Sequence, residues 1–237
     1  LPSGPTGKGA LFFGDSPYSF LPGIDYSTAL LYTPLLTNPR EPDSYYIGVK
    51  AISVDATKLP IPESSFKLRN DPNIRIDNKV GVVRGTIVSS TVRYTTLNSS
   101  IFDLLLSEFK LGAKARGLKE VAPVSPFEAC YNASSAIGTR VGYAVPIITF
   151  TLQGSGQNSV NWPFYGANTV VSVNDYKALC LAFLRANPFE QRSVILGTFQ
   201  QGDALLQFDL ATSKLGFVPT LLASRLTTCS NFNFTSN

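Results

Sequence analysis

Histidine and methionine are both missing from the 237 residues, cysteine occurs only three times, and charged residues make up 15% of the chain. Without histidine, neither a Ser-His-Asp nor a Cys-His nucleophile can be assembled, and a histidine-ligated zinc is excluded. Without methionine, residue 1 is not a translational start, so the opening LPSGPTGKG is expected to be a cut end within a longer precursor. No apolar run approaches the ~20 residues of a membrane-crossing helix, so no membrane partner is expected. The net charge is +4, but the basic side chains are scattered. That pattern excludes a nucleic-acid stripe and would suit an acidic wall polymer or an acidic protein.

Cys130, Cys180 and Cys229 lie roughly 50 residues apart, far from the close spacing of metal ligands. No metal site and no cofactor are expected. An odd count in a secreted chain points to a bond outside it, the alternative being one buried thiol. Three N-glycosylation triplets, at Asn98, Asn132 and Asn233, also favour a secretory route, although such triplets arise by chance.

What is present is apolar and β-prone. Hydrophobic residues are 44% of the chain, with 16 Pro, 18 Gly, 10 Tyr and 16 Phe, a balance that predicts short strands and turns around a sizeable core. GALFFGDSPYSFLPG reads as a strand ending in a turn, LLYTPLL as a strand, and YYIGVKAISVDATKLPIP as a half-buried hairpin with Tyr46, Gly48 and Lys50 opposite Ile47, Val49 and Ala51. The polar segment 66–79 reads as a loop. NSSIFDLLLSEFKLGAKARG is the clearest helix, with Phe102, Leu105, Leu106 and Phe109 at helical spacing, Ser100 as cap with Asp103 three residues on, and Gly112 or Gly117 as stop. PIITFTL, TVVSV and ALCLAFL read as strands, and SVILGTFQQGDALLQFDLATSKLGFVP as a strand, a short helical turn and a hairpin closed by ATSK. No repeat interrupts the pattern, so residues 1–237 are expected to form one domain.

Those last segments resemble pepsin-like aspartic proteases. VILG followed by LLQFDLATSKLGF is similar to their closing strands, and FEAC with ALC to the paired cysteines of their C-terminal lobe. The stretch GVVRGTIVSSTVRYTTL is similar to the strand and catalytic loop that would read GTIVDSGT in an active member, and there the aspartate position is Ser89. Aspartic proteases need two carboxylates sharing a proton, and a serine hydroxyl without a base cannot replace one. A register slip would move the aspartate to Asp77 or Asp103. The first has no Thr-Gly after it, and the second lies in the helix.

The phrases FFGDSPYSFLPG, YTPLLTNP, YYIGVKAI, VAPVSPFEACY, QFDLATSKLGF and TTCSNFNFTS resemble the inactivated pepsin-like proteins of plants. That family comprises wheat-type xylanase inhibitors, xyloglucan-specific endoglucanase inhibitors, extracellular dermal glycoproteins, basic globulins and gamma-conglutins. The resemblance implies a mostly β chain, the C-terminal lobe of a pepsin-like fold with one or two short helices and without its N-terminal lobe. It implies that Cys130 pairs with Cys180, and that Cys229 joins a cysteine just before Leu1 in the N-terminal half of the same precursor. It also implies that Arg140 (GTRVG) and Arg225 (ASRLTTC) enter the cleft of a microbial glycoside hydrolase of family 12 or 11. Leu226 is an extra residue against the family pattern and shifts the second loop. Wheat-type inhibitors use a histidine near that loop, so the family 11 route is not expected here.

The chemistry of that implication is sound. A retaining glycosidase holds two carboxylates about 5 to 5.5 Å apart, and a planar guanidinium with fixed donors bonds both. The plain alternative is that both arginines are solvated surface groups. Trp162 could offer a sugar-stacking face but fits core packing better, and one ring of the Tyr45-Tyr46 pair is expected to be buried. The leading expectation is a secreted, non-proteolytic glycanase inhibitor of the apoplast or seed storage vacuole. The others are a seed storage or wall-binding protein of the gamma-conglutin type, and an active protease should Ser89 be misregistered.

Overall fold

The computed structural model describes residues 9–11, 13–14, 18–21, 24–39, 41–68, 75–76, 79–80, 84–225 and 227–231. Its frame is an eight-stranded mixed sheet. In spatial order the strands are Phe183–Arg185, Thr95–Leu97, Val194–Leu196, Thr86–Val88, Tyr45–Ile47, Leu31–Leu36, Lys214–Val218 and Leu205–Asp209. Thr95–Leu97 runs parallel to Phe183–Arg185, Val194–Leu196 runs parallel to Thr86–Val88, and the other pairings are antiparallel. A four-stranded sheet (Ser159–Phe164, Ile148–Gln153, Val49–Val54, Thr57–Lys58) covers part of it, and another joins Glu120–Val121, Cys130–Asn132, Ala178–Leu181 and Val170–Val173.

The hairpin expected from YYIGVKAISVDATKLPIP is present in its second half, where Val49–Val54 pairs antiparallel with Thr57–Lys58, but its first strand is divided at Gly48 between two sheets. Tyr45–Ile47 pairs with the strands at Leu35 and Thr86, and after Gly48 the chain enters the other sheet, where Val49–Val54 pairs with Ile148–Leu152. Tyr46, Ile47, Val49, Ala51 and Ile52 are buried, while Lys50 and Ser53 are half-buried. The expected alternation holds at Val49, Lys50 and Ala51 and is lost at Tyr46 and Ile47, where both faces of the strand are covered. Segment 66–79 also departs from a plain loop: Phe66 is buried, and Arg75–Ile76 begins a ribbon with Lys79–Val80. Ala10, Leu11 and Phe13 lie outside any strand, and the strand of that region is Ser19–Leu21.

The helix Ser99–Ala115 buries Ile101, Phe102, Leu105, Phe109 and Ala113, close to the expected stripe. Its cap is not Ser100. Asn98 Oδ1 accepts from the Ser100 amide at 3.2 Å and from Ser100 Oγ at 2.9 Å, while Asp103 turns to Arg185 at 2.8 Å. Gly117, with φ of +75°, ends the helix, and Leu118 N donates to Ala113 O in the closing six-residue bond. Gly112 stays inside the helix, beneath Pro146. Two further α-helices, Gly166–Thr169 and Leu221–Arg225, bring the described total to three. Both are too short for helical periodicity to show in sequence.

Charged pairs fasten the helix to the sheets. Arg116 forks onto Asp55 with two 2.8 Å bonds, and Asp55 Oδ1 also accepts from the Ile147 amide. Arg185 lies over the Phe102 ring and bonds Glu128 as well as Asp103, partners that hold its guanidinium above its ordinary pKa, Glu128 first. Trp162 is fully buried and stacks on Phe217 with centroids 4.6 Å apart. It is core, not a sugar platform. Tyr46 is buried and Tyr45 is partly exposed against Phe208.

Candidate functional site

The turn after Thr86–Val88 is built from hydroxyls. Ser89 Oγ accepts from the Val92 amide at 3.1 Å and the Thr91 amide at 3.3 Å, and it lies 3.3 Å from Thr91 Oγ1. The Ser89 amide donates to Leu196 O, and its carbonyl accepts from Gln201 Nε2 at 2.8 Å. The serine thus closes its own turn, a local side-chain to backbone role common to Ser, Thr and Asn. Ser90 and Val88 continue outward to a cavity of about 450 Å³, also bordered by Tyr45, Gln201, Phe208 and Cys229. The alternative acid Asp103 is occupied by Arg185, and Asp77 lies outside the described residues. Among the described residues no cluster of His, Cys, Asp or Glu could hold a metal, and no helix could cross a membrane.

Arg140 occupies the two-residue turn of a small hairpin, Gly138–Thr139 paired with Gly142–Tyr143. It is exposed, and among the described residues nothing bonds its guanidinium. Arg116, Arg185 and Arg192 form ion pairs and Arg93 lies over Tyr94, whereas Arg84 is exposed like Arg140. Although exposed, the hairpin is seated. Ala167 N donates to Val141 O at 2.9 Å, and Thr139 Oγ1 bonds Gly142 O while accepting from the Val141 amide. Ile137, just before it, is also exposed. Arg225 ends the helix Leu221–Arg225, whose Leu221 belongs to a second small core with Tyr18, Tyr26 and Cys229. The two arginines therefore sit on separate packing units. Leu226 lies outside the described residues.

Cys130 and Cys180 are directly opposed in register and joined by a disulfide. Cys229 is buried, its amide donates to Asp203 Oδ1 at 2.9 Å, and burial pushes its thiol pKa up.

Two glycosylation triplets share one geometry. Asn132 Oδ1, like that of Asn98, accepts from the amide and hydroxyl of the serine two residues on, Ser134. Asn233 lies outside the described residues. Glycan attachment replaces a hydrogen on Nδ2 and leaves Oδ1 in place, so the helix cap at exposed Asn98 tolerates a sugar. Enzymatic removal of an N-glycan from Asn98 would leave aspartate, which also caps, and stability should change by less than about 0.5 kcal/mol. Asn98→Ala should cost about 1 kcal/mol. Urea melts of the two forms, with intact mass to score the glycan, check this.

Sequence reasoning missed the buried amides that organise these turns. Gln200 is fully buried, accepts from Thr95 N and Oγ1 and donates to Asn168 O and Ala182 O. The doubled Gln of TFQQGD was a visible signal, since two glutamines beside the apolar VIL must find partners indoors.

Comparison with known proteins places these features. The family model described as xylanase inhibitor C-terminal matches residues 44–219. A Nicotiana benthamiana protein named "Probable aspartic proteinase GIP2" is 39% identical over all of this chain and 52% of its own length. Gamma conglutin 1 of Prunus dulcis is 36% identical over 99% of this chain and 49% of its own. The chain thus spans about half the length of these curated relatives. The crystal structure titled edgp superposes with a TM-score of 0.85 at 35% identity, covering 100% of this chain and 56% of that one. The architecture is the C-terminal half of a pepsin-like fold.

Proposed function

This chain belongs to the xylanase inhibitor C-terminal family, a group of non-catalytic pepsin-like relatives, and we propose from that premise that it inhibits microbial wall-degrading glycoside hydrolases. The target is a xyloglucan endoglucanase of family 12 ahead of a family 11 xylanase. Arg140 is the main plug, forking onto the target's carboxylate pair, and Arg225 assists. The observation that carries this reading is Arg140 itself: an exposed guanidinium, unbonded among the described residues, on a turn that is fixed in place. Ser89 stands at the position of the lost aspartate, and its hydroxyl serves the turn. Titrating the full-length protein against a fungal family 12 xyloglucanase, with a family 11 xylanase alongside, tests the reading. Near-stoichiometric loss of xyloglucanase activity is expected, and full activity at excess protein would overturn it.

A second reading follows from the almond gamma conglutin match: a seed storage or wall-binding protein that keeps the scaffold and leaves the arginines unused. Silence toward both glycanases would put it first. Peptide cleavage at acid pH abolished by pepstatin would instead contradict the assignment of Ser89.

In either reading the protein is secreted, to the apoplast or a storage vacuole, and this chain is one lobe of two. As the family resemblance implies, Cys229 joins the N-terminal half of the precursor, while Cys130 is bonded to Cys180 within this chain. The native protein should run above 25.6 kDa without reductant. Because Cys229 is buried, thiol counts belong in denaturant. One reactive thiol per chain there, with a 25.6 kDa band, would refute the link.

A further inference from the structure

The Arg140 hairpin is tied to the Ser89 turn through a line of buried amides. Gln201 Nε2 donates to Ser89 O and Leu196 O. Its neighbour Gln200 binds Thr95 through Oε1, and through Nε2 reaches Asn168 O at 3.0 Å and Ala182 O at 2.9 Å. Both lone-pair directions of that oxygen and both hydrogens of that nitrogen are used, so Gln200 has one orientation. Asn168 returns its own amide hydrogens to Phe199 O at 3.1 Å and Gly202 O at 2.9 Å. The residue before it, Ala167, donates to Val141 O, the carbonyl adjoining Arg140.

The last contact is an interlock of two glycines. A Cβ at Gly142, where φ is +95°, would lie 2.0 Å from Ala167 N, and one at Gly166 would lie 2.0 Å from Tyr143 O. Both clashes are with backbone, so a side chain at either position displaces the hairpin.

Resting on the reading that Arg140 meets the target, we infer that Gly142, Gly166, Asn168 and Gln200 are positioning residues for it. They carry a fixed geometry from the Ser89 turn outward to the guanidinium. A charged group held before binding loses less freedom on binding and keeps the planar fork aligned. The scaffold that surrounds the hydroxyl turn thereby serves an interaction outside it.

The test is a double-mutant cycle in the full-length protein against a family 12 xyloglucanase, with Arg140→Ala, Gly142→Ala and the pair. Thr139→Val is the milder companion, since it removes only two hydrogen bonds of the exposed turn. Gly142→Ala should weaken inhibition about tenfold or more, and Thr139→Val by less, with neither adding loss in the Arg140→Ala background. Losses that multiply, or a Gly142→Ala protein that inhibits like wild type, would overturn the positioning role. Should Arg140→Ala itself leave inhibition intact, the functional reading fails alone, and amide exchange judges the interlock. The Ala167 amide should be protected in wild type and exposed to exchange in Gly142→Ala and Thr139→Val, while amides of the helix Ser99–Ala115 keep their rates. An Ala167 amide that exchanges freely in wild type would also overturn it.

Discussion

Arg140→Ala is expected to raise the inhibition constant for a family 12 xyloglucanase by about 30-fold to several-thousand-fold, the range that corresponds to about 2–5 kcal/mol for truncating one partner of a buried, hydrogen-bonded charge pair. The magnitude follows from what the substitution leaves behind. Two carboxylates held about 5 to 5.5 Å apart in a glycosidase cleft would be covered by the inhibitor without a counter-charge, and such an orphaned charge costs more than the pair was worth. Arg140→Lys should recover part of the loss and no more, because an ammonium is a point charge and cannot span both oxygens as a planar fork. The wild-type constant should weaken only modestly with salt, since a pair shielded from solvent is screened little. Inhibition kinetics of the three proteins at two ionic strengths check all of this, and equal constants for wild type and Arg140→Ala would remove Arg140 from the mechanism.

Replacing Cys130 and Cys180 together by alanine is expected to cost about 4 kcal/mol of unfolding free energy. The bond closes a segment with a sequence separation of 50, and loop-closure entropy for that length gives about 4 kcal/mol at 25 °C. Both cysteines are fully buried, against Phe127 and with Tyr94, Val121 and Val171 around them, so the truncated sulfurs also remove packing from a close-fitted cluster. The strands are already held by pairing in register, Cys130 opposite Cys180 and Asn132 opposite Ala178. Stability should therefore fall while the fold remains. Urea denaturation of the full-length protein measures the difference, with far-UV circular dichroism to confirm an unchanged native baseline. A loss under about 1 kcal/mol would mean that the reduced, unfolded chain retains structure enough to make the bond redundant.

How much of this was legible depends on the range of the interaction involved. The helix stripe of Phe102, Leu105 and Phe109 was readable because it repeats within a dozen residues, and so was the last hairpin, although its turn is residues 210–213, one residue ahead of ATSK, with Lys214 already paired to Asp209. The helix cap was misread by two residues. Ser100 and Asp103 have capping spacing, but the chain leaves the strand Thr95–Leu97 directly into Asn98, so the asparagine arrives first. Gly48 marks a change of sheet that no alternation can show, because both strands it joins are extended and apolar. In the site, Arg140 was singled out only through resemblance to a family, since an arginine between glycines has no local signature. The residues that seat it, Gly142 against Ala167 and Gly166 against Tyr143, acquire meaning when two segments more than twenty residues apart touch. Trp162 shows the opposite case, where size and apolar neighbours were enough to prefer the core.

The passage of the chain at Gly48 from one sheet straight into the other has a consequence for how the lobe comes apart. Tyr46 and Ile52 sit in different sheets yet are held within one run of backbone, with Gln153 N bonded to Gly48 O at the crossing. Neither of these two sheets can peel away without dragging the first residues of the other, so the two are expected to open together. Those two sheets are expected to melt as one cooperative unit, which leaves proteases few intermediate states of them to cut.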